Sequence, residues 1–351
     1  MTFIPVRSPG GEAPLGAPTQ PRPGPLDPLL RVEHLRVAYD ATTTPVVAVD
    51  DVSFEIARGG SMAILGESGS GKTSLGLALI GLNQGRTTKV DGSVRLDDLE
   101  LVGRRREELE DIRGARIAMI FQDPLSTLNP VKRVGDQVAE TFTRHRGLSA
   151  RQAREAAVDT MARARIPDPR RRASDYPHQF SGGMRQRVMI AIAIALGPQL
   201  LIADEPTTAL DVTVQAQIVQ LLIEIRAETG MALILISHDL GLAAALADDV
   251  LVMYGGRMAE KGPLRTTYEH AGHPYTRGLL ASAPRNSVAG SRLPVIPGSP
   301  PRLDQVARGC PFAPRCPDAI DLCRDVMPLP RTIAPGHVAA CHLASGREEG
   351  R

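Results

Sequence analysis

Along this chain, short apolar runs alternate with longer stretches in which apolar residues recur every three or four positions. SMAIL, ARIAMIF, QLLIA and ALILIS are the apolar runs, with helical patterns between them. Strands covered on both faces read this way, so the alternation predicts a mostly parallel sheet flanked by helices. LLRVEHLRVAY alternates apolar and polar residues instead, which predicts a strand, and VSFEI fits as its antiparallel partner. From about Asp123 to Ala195 the pattern turns helical, with LSARQAREAAVDTMARARI as the clearest amphipathic piece. Within it, FSGGMRQRVMIAIAIAL (Phe180 to Leu196) opens on a serine and two glycines and ends in an unbroken apolar run. That run is shorter than the roughly 20 apolar residues a bilayer crossing needs, so it predicts a buried helix.

Composition changes this picture at the two ends. The first 28 residues hold eight prolines and four glycines, too little apolar surface to offset chain entropy, and predict a disordered tail over 1–28. Proline rises again after about Pro263, and all four cysteines lie between Cys310 and Cys341. The expected organisation is a principal domain over 29–262, with a helical subdomain at about 123–195. A separate small C-terminal module follows over 263–345, then a flexible tail over 346–351. The net charge of +2 over 351 residues argues against a nucleic-acid partner. MTFIPVRSPGG has no apolar core of a signal peptide, so the chain is expected inside the cell, with any membrane role peripheral.

GESGSGKT, Gly66 to Thr73, has the spacing G-x-x-x-x-G-K-[ST] between an apolar strand and a helical pattern. Glycines at Gly66, Gly69 and Gly71 let backbone amides close around phosphate oxygens, with Glu67, Ser68, Ser70 and Ser74 completing the stretch. The helix N-terminus adds partial positive charge. Lys72 is expected on the β- and γ-phosphates and Thr73 on Mg²⁺. LLIADEP ends an apolar strand in two carboxylates. Asp204 is placed to hold Mg²⁺ and Glu205 to accept a proton from an attacking water.

With these motifs in hand, the chain resembles the ATP-binding cassette family, the nucleotide-binding subunits of ABC transporters, over about Leu30 to Gly262. FSGGM is similar to the family's signature, with Met184 where glutamine is usual; MIFQDP resembles its Q-loop, ALD its D-loop and LISHD its switch histidine. The resemblance implies an α/β fold: a P-loop (RecA-like) core, an antiparallel β subdomain, an α-helical signature subdomain and a small Cys-rich C-terminal extension. It implies that Ser181, Gly182, Gly183 and Met184 cap the ATP held by a second cassette, that Tyr39 stacks on adenine, and that Gln122 touches Mg²⁺ or the water. Asp211 would lie in the D-loop and His238 would contact the γ-phosphate. Plainer roles stay open for three of these: Tyr39 as a strand aromatic, Asp211 as a helix N-cap and His238 as a packed histidine.

YPHQFSGGMRQRVMIAIAIAL and HPYTRGLLASAP resemble the ATPases of dipeptide and oligopeptide importers, "D" type. That implies several partners. They are a second, "F"-type ATPase subunit in a heterodimer, two transmembrane permease subunits docking around Gln122 to Val138, and an extracytoplasmic peptide-binding protein. The chain would then sit on the cytoplasmic face of the membrane. Importers of nickel or other small solutes, and soluble ABC ATPases without a transport role, are the alternatives. Cys310, Cys316, Cys323 and Cys341 are spaced C-x5-C-x6-C-x17-C, without the tight knuckle usual for zinc. Disulfides are not expected inside the cell. The resemblance associates this region with an iron–sulfur cluster, [4Fe–4S], ranked ahead of zinc and of unliganded thiols.

Overall fold

The computed structural model describes residues 28–40, 45–85, 87–283, 294–303 and 308–344. The two tails expected from the sequence lie, Pro28 apart, outside them. Among the described residues, β1 (Leu30–Tyr39), β2 (Val46–Ile56), β4 (Thr88–Leu96) and β5 (Leu99–Glu100) form an antiparallel sheet in the order β2-β1-β4-β5. A larger sheet is built from β3 (Ser61–Leu65), β6 (Ile117–Ile120), β7 (Leu200–Asp204), β8 (Ala232–Ser237), β9 (Asp249–Tyr254), β10 (Arg257–Pro263), β11 (Arg331–Ala334) and β12 (His337–Ala339). Its order is β11-β12-β10-β9-β3-β8-β7-β6.

The four apolar runs of the sequence are β3, β6, β7 and β8. They pair in parallel, β3 with β8 and β9, and β7 with β6 and β8. Every residue of β3, β7 and β8 is buried, as strands covered on both faces must be. One face carries the antiparallel sheet: Leu35, Val37 and Phe54 pack with Ile64, Leu75 and Leu79. The other carries the helices of the subdomain. Helix Ala150–Arg163 starts at a reciprocal capping box between Ser149 and Gln152 and buries Ala153, Ala157, Thr160 and Met161 on one face. Ala153, Ala157 and Met161 meet Val188, Ile190, Leu201 and Leu233 in a single cluster. Helix Gly182–Ile194 is buried nearly all round, which accounts for its unbroken apolar run. Among the described residues, no helix is long and apolar enough to cross a membrane.

The cysteine-bearing segment, read from the sequence as a separate small module, is fused to the core. β12 pairs antiparallel with β10, extending the central sheet, and β11 pairs with β12. Tyr275 and Phe312 pack with Ala63, Leu65, Val250 and Val252 of the parallel strands. Strands of three and four residues are too short to show periodicity, and pairing across some 80 residues leaves no local trace.

Glu260 on β10 fastens this segment. Fully buried, its carboxylate lies 2.7 Å from His337 Nε2 on β12 and accepts from the amides of Gly272 (2.7 Å) and His273 (3.0 Å). Burial alone would raise its pKa, but these hydrogen bonds hold the carboxyl below the ordinary glutamate value. Its contribution to stability is therefore complete above the unfolded glutamate pKa of about 4.3 and is lost as pH falls through the depressed folded value. Glu260→Ala is expected to lower the free energy of unfolding by about 3–5 kcal/mol at neutral pH, and Glu260→Gln to flatten the acid limb of stability. Denaturant melts across pH check both.

Candidate active site

Residues 66–74, Gln122, Asp204, Glu205 and His238 come together because parallel strands deliver their carboxyl ends to one edge of the sheet. β3 runs into Gly66, β6 into Gln122, β7 ends at Asp204 and passes into Glu205, and β8 passes into His238. Four chain segments far apart in sequence thus place polar side chains at adjacent strand ends.

The phosphate loop follows β3 and enters helix Lys72–Leu79 through Gly71. That glycine adopts φ 98°, and a Cβ there would lie 2.1 Å from the Ala48 carbonyl oxygen, so no other residue fits. Lys72 is buried at the helix start, and its Nζ donates to the carbonyls of Gly66 (2.7 Å) and Glu67 (2.9 Å). Burial lowers the Lys72 pKa against the opposing fields of Glu205, Asp204 and Glu67. Ser68, Gly69 and Thr73 are exposed at the loop surface. Ser70 Oγ is buried without a hydrogen-bond partner. Tyr39 Oη donates to Ser74 Oγ at 3.2 Å, bringing the antiparallel sheet to the helix that follows the loop.

Glu205 is the junction of the site. Gln122 Nε2 donates to its Oε2 at 2.9 Å, Thr208 Oγ1 donates to the same oxygen at 2.8 Å, and His238 Nδ1 lies 3.2 Å from Oε1. Its backbone sits at φ 44°, left-handed and costly for a residue with a side chain. Burial works to raise its pKa, yet Thr208 and His238, with Lys72 beyond, bring the carboxyl below its usual range. Asp204 differs: it is 1% exposed, and burial pushes its pKa up against Thr73 and Lys72. Among the described residues, one of its oxygens, Oδ1, has no hydrogen-bond partner. A buried, unpartnered carboxylate oxygen beside a threonine hydroxyl suits a cation with its own water. Thr208 is the residue the sequence reading missed; the signal was a hydroxyl one turn after the carboxylate, in TTALD.

The signature lies apart. Ser181 is exposed and caps helix Gly182–Ile194, its Oγ accepting from the Met184 amide at 3.4 Å. Among the described residues, no hydrogen bond or ion pair joins residues 181–184 to residues 66–74. A Cβ on Gly183 would fall 2.4 Å from a Val214 methyl, so this glycine permits close approach of the helix that follows Asp211. Met184 packs on the helical core. Asp211 is an N-cap, its Oδ1 accepting from the Val214 amide at 3.0 Å.

The four cysteines are free thiols that line one cavity with His273, Phe312 and Leu343. Cys323 and Cys341 are buried, Cys310 and Cys316 half-buried. Burial pushes the Cys310 thiol up to about 11 and raises that of Cys316. Among the described residues, no three His, Cys, Asp or Glu side chains converge as a single metal ion requires.

Known proteins are similar to this chain. Residues 49–208 match the ABC transporter family and residues 259–323 the C-terminal region of the oligopeptide/dipeptide transporter family. The oligopeptide transport ATP-binding protein OppD of Salmonella typhimurium is 46% identical over 319 residues, 91% of this chain and 95% of that protein. The dipeptide transport ATP-binding protein DppD of Bacillus subtilis is 45% identical over 325 residues, 92% of this chain and 97% of that protein. The dimeric ATP-binding cassette MJ0796 bound to ADP and Pi superposes with a TM-score of 0.61 at 28% identity, covering 67% of this chain and 99% of that one. With cassette and C-terminal region both matched and relatives 45–46% identical over nine-tenths of the chain, the chain belongs to the ABC transporter ATP-binding proteins of the oligopeptide/dipeptide group.

Proposed function

We propose that this chain is the ATP-hydrolysing subunit of an importer of di- and oligopeptides. The observation that carries the reading is the convergence of Gln122, Thr208 and His238 on the Glu205 carboxylate, at the strand edge that also bears the phosphate loop. Lys72 would bind the β- and γ-phosphates, with Gly66 to Ser74 wrapping them and Tyr39 against the adenine. Thr73, Asp204 and Gln122 would hold Mg²⁺, which when bound neutralises charge on the phosphates. Glu205, ionised well below neutral pH, is a weak base. Its part is to orient the water and take the proton late, which suits a transition state with little bonding to the nucleophile. His238, 64% exposed on its side chain, is free to turn from Glu205 toward the γ-phosphate.

Ser181 to Met184 would serve the ATP of a partner cassette, because they do not reach this chain's own loop. The partner is read as an "F"-type subunit, and the pair as lying under two permease subunits at the cytoplasmic face of the membrane, supplied by an external peptide-binding protein. Leu125 and Val131, 62% and 83% exposed beside Gln122, support permease docking on this stretch. The relatives' names support peptides over nickel as cargo.

The four thiols are read as ligands of a [4Fe–4S] cluster ahead of zinc. What supports the reading is that all four line one apolar-walled cavity and lack the tight knuckle spacing usual for zinc. The raised Cys310 and Cys316 thiols need a nearby positive charge to ionise, which bound iron or zinc would supply.

Glu205→Gln, nearly isosteric, is expected to reduce ATP turnover by about 10²- to 10⁴-fold while ATP binding persists; turnover at the parent rate would remove the assignment. Ser181→Arg is expected to leave nucleotide binding by the isolated chain intact and to abolish turnover by the assembled ATPase pair. Equilibrium binding and steady-state turnover on the same preparations check this. Anaerobically purified chain is expected to contain iron and sulfide in equal amounts, lost in Cys323→Ser; colourless protein with stoichiometric zinc would reverse the order of cluster and zinc.

A further inference from the structure

We infer that the C-terminal segment clamps the phosphate loop through Glu67, and that Arg315 and Tyr275 are positioning residues for ATP binding. The inference rests on the reading of residues 66–74 as the ATP site. Glu67 brings a carboxylate to a loop that must receive a polyanion, and its charge is felt at Lys72. Left unpaired, it opposes the ligand.

Arg315 answers that charge from 248 residues away. Its Nη1 donates to Glu67 Oε2 at 2.6 Å and its Nη2 to Oε1 at 3.0 Å, a two-pronged grip by a side chain only 6% exposed. The guanidinium is itself immobilised: Nε donates to the Pro297 carbonyl at 2.7 Å, Nη2 to that of Ile296 at 3.3 Å, and Nη1 to Tyr254 Oη at 3.1 Å. A planar fork held at every edge fixes the carboxylate in place as well as neutralising it, which an ammonium could not do.

Tyr275 holds the same residue by its backbone. The Glu67 amide donates to Tyr275 Oη at 2.8 Å. Tyr275 is fully buried and begins a helix capped by His273, whose amide is bound to Glu260. Two points of one segment, 40 residues apart, therefore close on a single phosphate-loop residue. Lys72 ties the inner side of that turn through the Gly66 and Glu67 carbonyls. A loop held in binding geometry before the ligand arrives loses less conformational freedom on binding.

The test uses the chain assembled with its partner ATPase and permease, and measures ATP KM, kcat and melting temperature for Arg315→Gln, Glu67→Gln, the double variant and Tyr275→Phe, with Lys72→Ala as reference. Arg315→Gln is expected to raise KM about 10-fold with kcat within about 3-fold, because it strands the Glu67 charge beside the phosphates. Adding Glu67→Gln removes that charge and is expected to bring KM back to within about 3-fold of the parent, even if the melting temperature stays low. Tyr275→Phe is expected to raise KM about 3-fold. Should Arg315→Gln fail to assemble, Arg315→Lys, which keeps charge and loses the fork, and Tyr275→Phe carry the same measurement. A lowered melting temperature with unchanged KM in these variants, or no recovery in the double variant, would overturn the clamp while Lys72→Ala still abolished binding. Parental ATP binding by Lys72→Ala would overturn the ATP-site reading and the clamp with it.

Discussion

Parallel strands buried on both faces can carry polar side chains only where they end, and this molecule uses that constraint throughout. β3, β6, β7 and β8 are apolar along their lengths and pair in register, Ala63 beside Leu235 and Ala203 beside Leu235 and Ile120. Their carboxyl ends thus arrive together. The phosphate loop, Gln122, the Asp204–Glu205 pair and His238 lie at or just beyond those ends. The sheet has no catalytic group of its own; it supplies the common edge from which four separate loops act on one small volume.

Within that volume, neighbouring carboxylates are driven apart in character by their surroundings. Asp204 is buried with one oxygen unpartnered, and its pKa rises. Glu205, one residue on, is turned by a left-handed backbone toward three donors, and its pKa falls. The first suits a cation, the second a water. The helical subdomain contributes Gln122 at its root and carries the signature on another face, so one chain holds one phosphate loop and one cap that does not reach it.

The C-terminal segment is integral to the same design. It extends the central sheet through β11 and β12, closes around Glu260, and reaches back to Glu67 with Arg315 and Tyr275. The segment that distinguishes this group of cassettes is thus also one that touches the phosphate loop, and its cysteine cavity adjoins the short turn that presents Arg315.

The sequence by itself determined β1, β2, β3, β6, β7 and β8 and their character, the glycine-rich loop and paired acids as motifs, the helix after Phe180 and the region of the cysteines. Each of these is a local matter: apolar runs, glycine spacing and capping residues act over a few positions, and the chemistry is written in consecutive letters. It did not disclose that Thr208 would turn back onto Glu205, that Gly183 would be needed for the approach of Val214, or that the extension would join the central sheet. Nor did it disclose that Arg315 would meet Glu67. Only the tertiary structure decided those contacts. Each depends on where two distant segments are carried by the packing of everything between them, and a hydrogen bond or ion pair across that distance leaves no periodicity for the sequence to display.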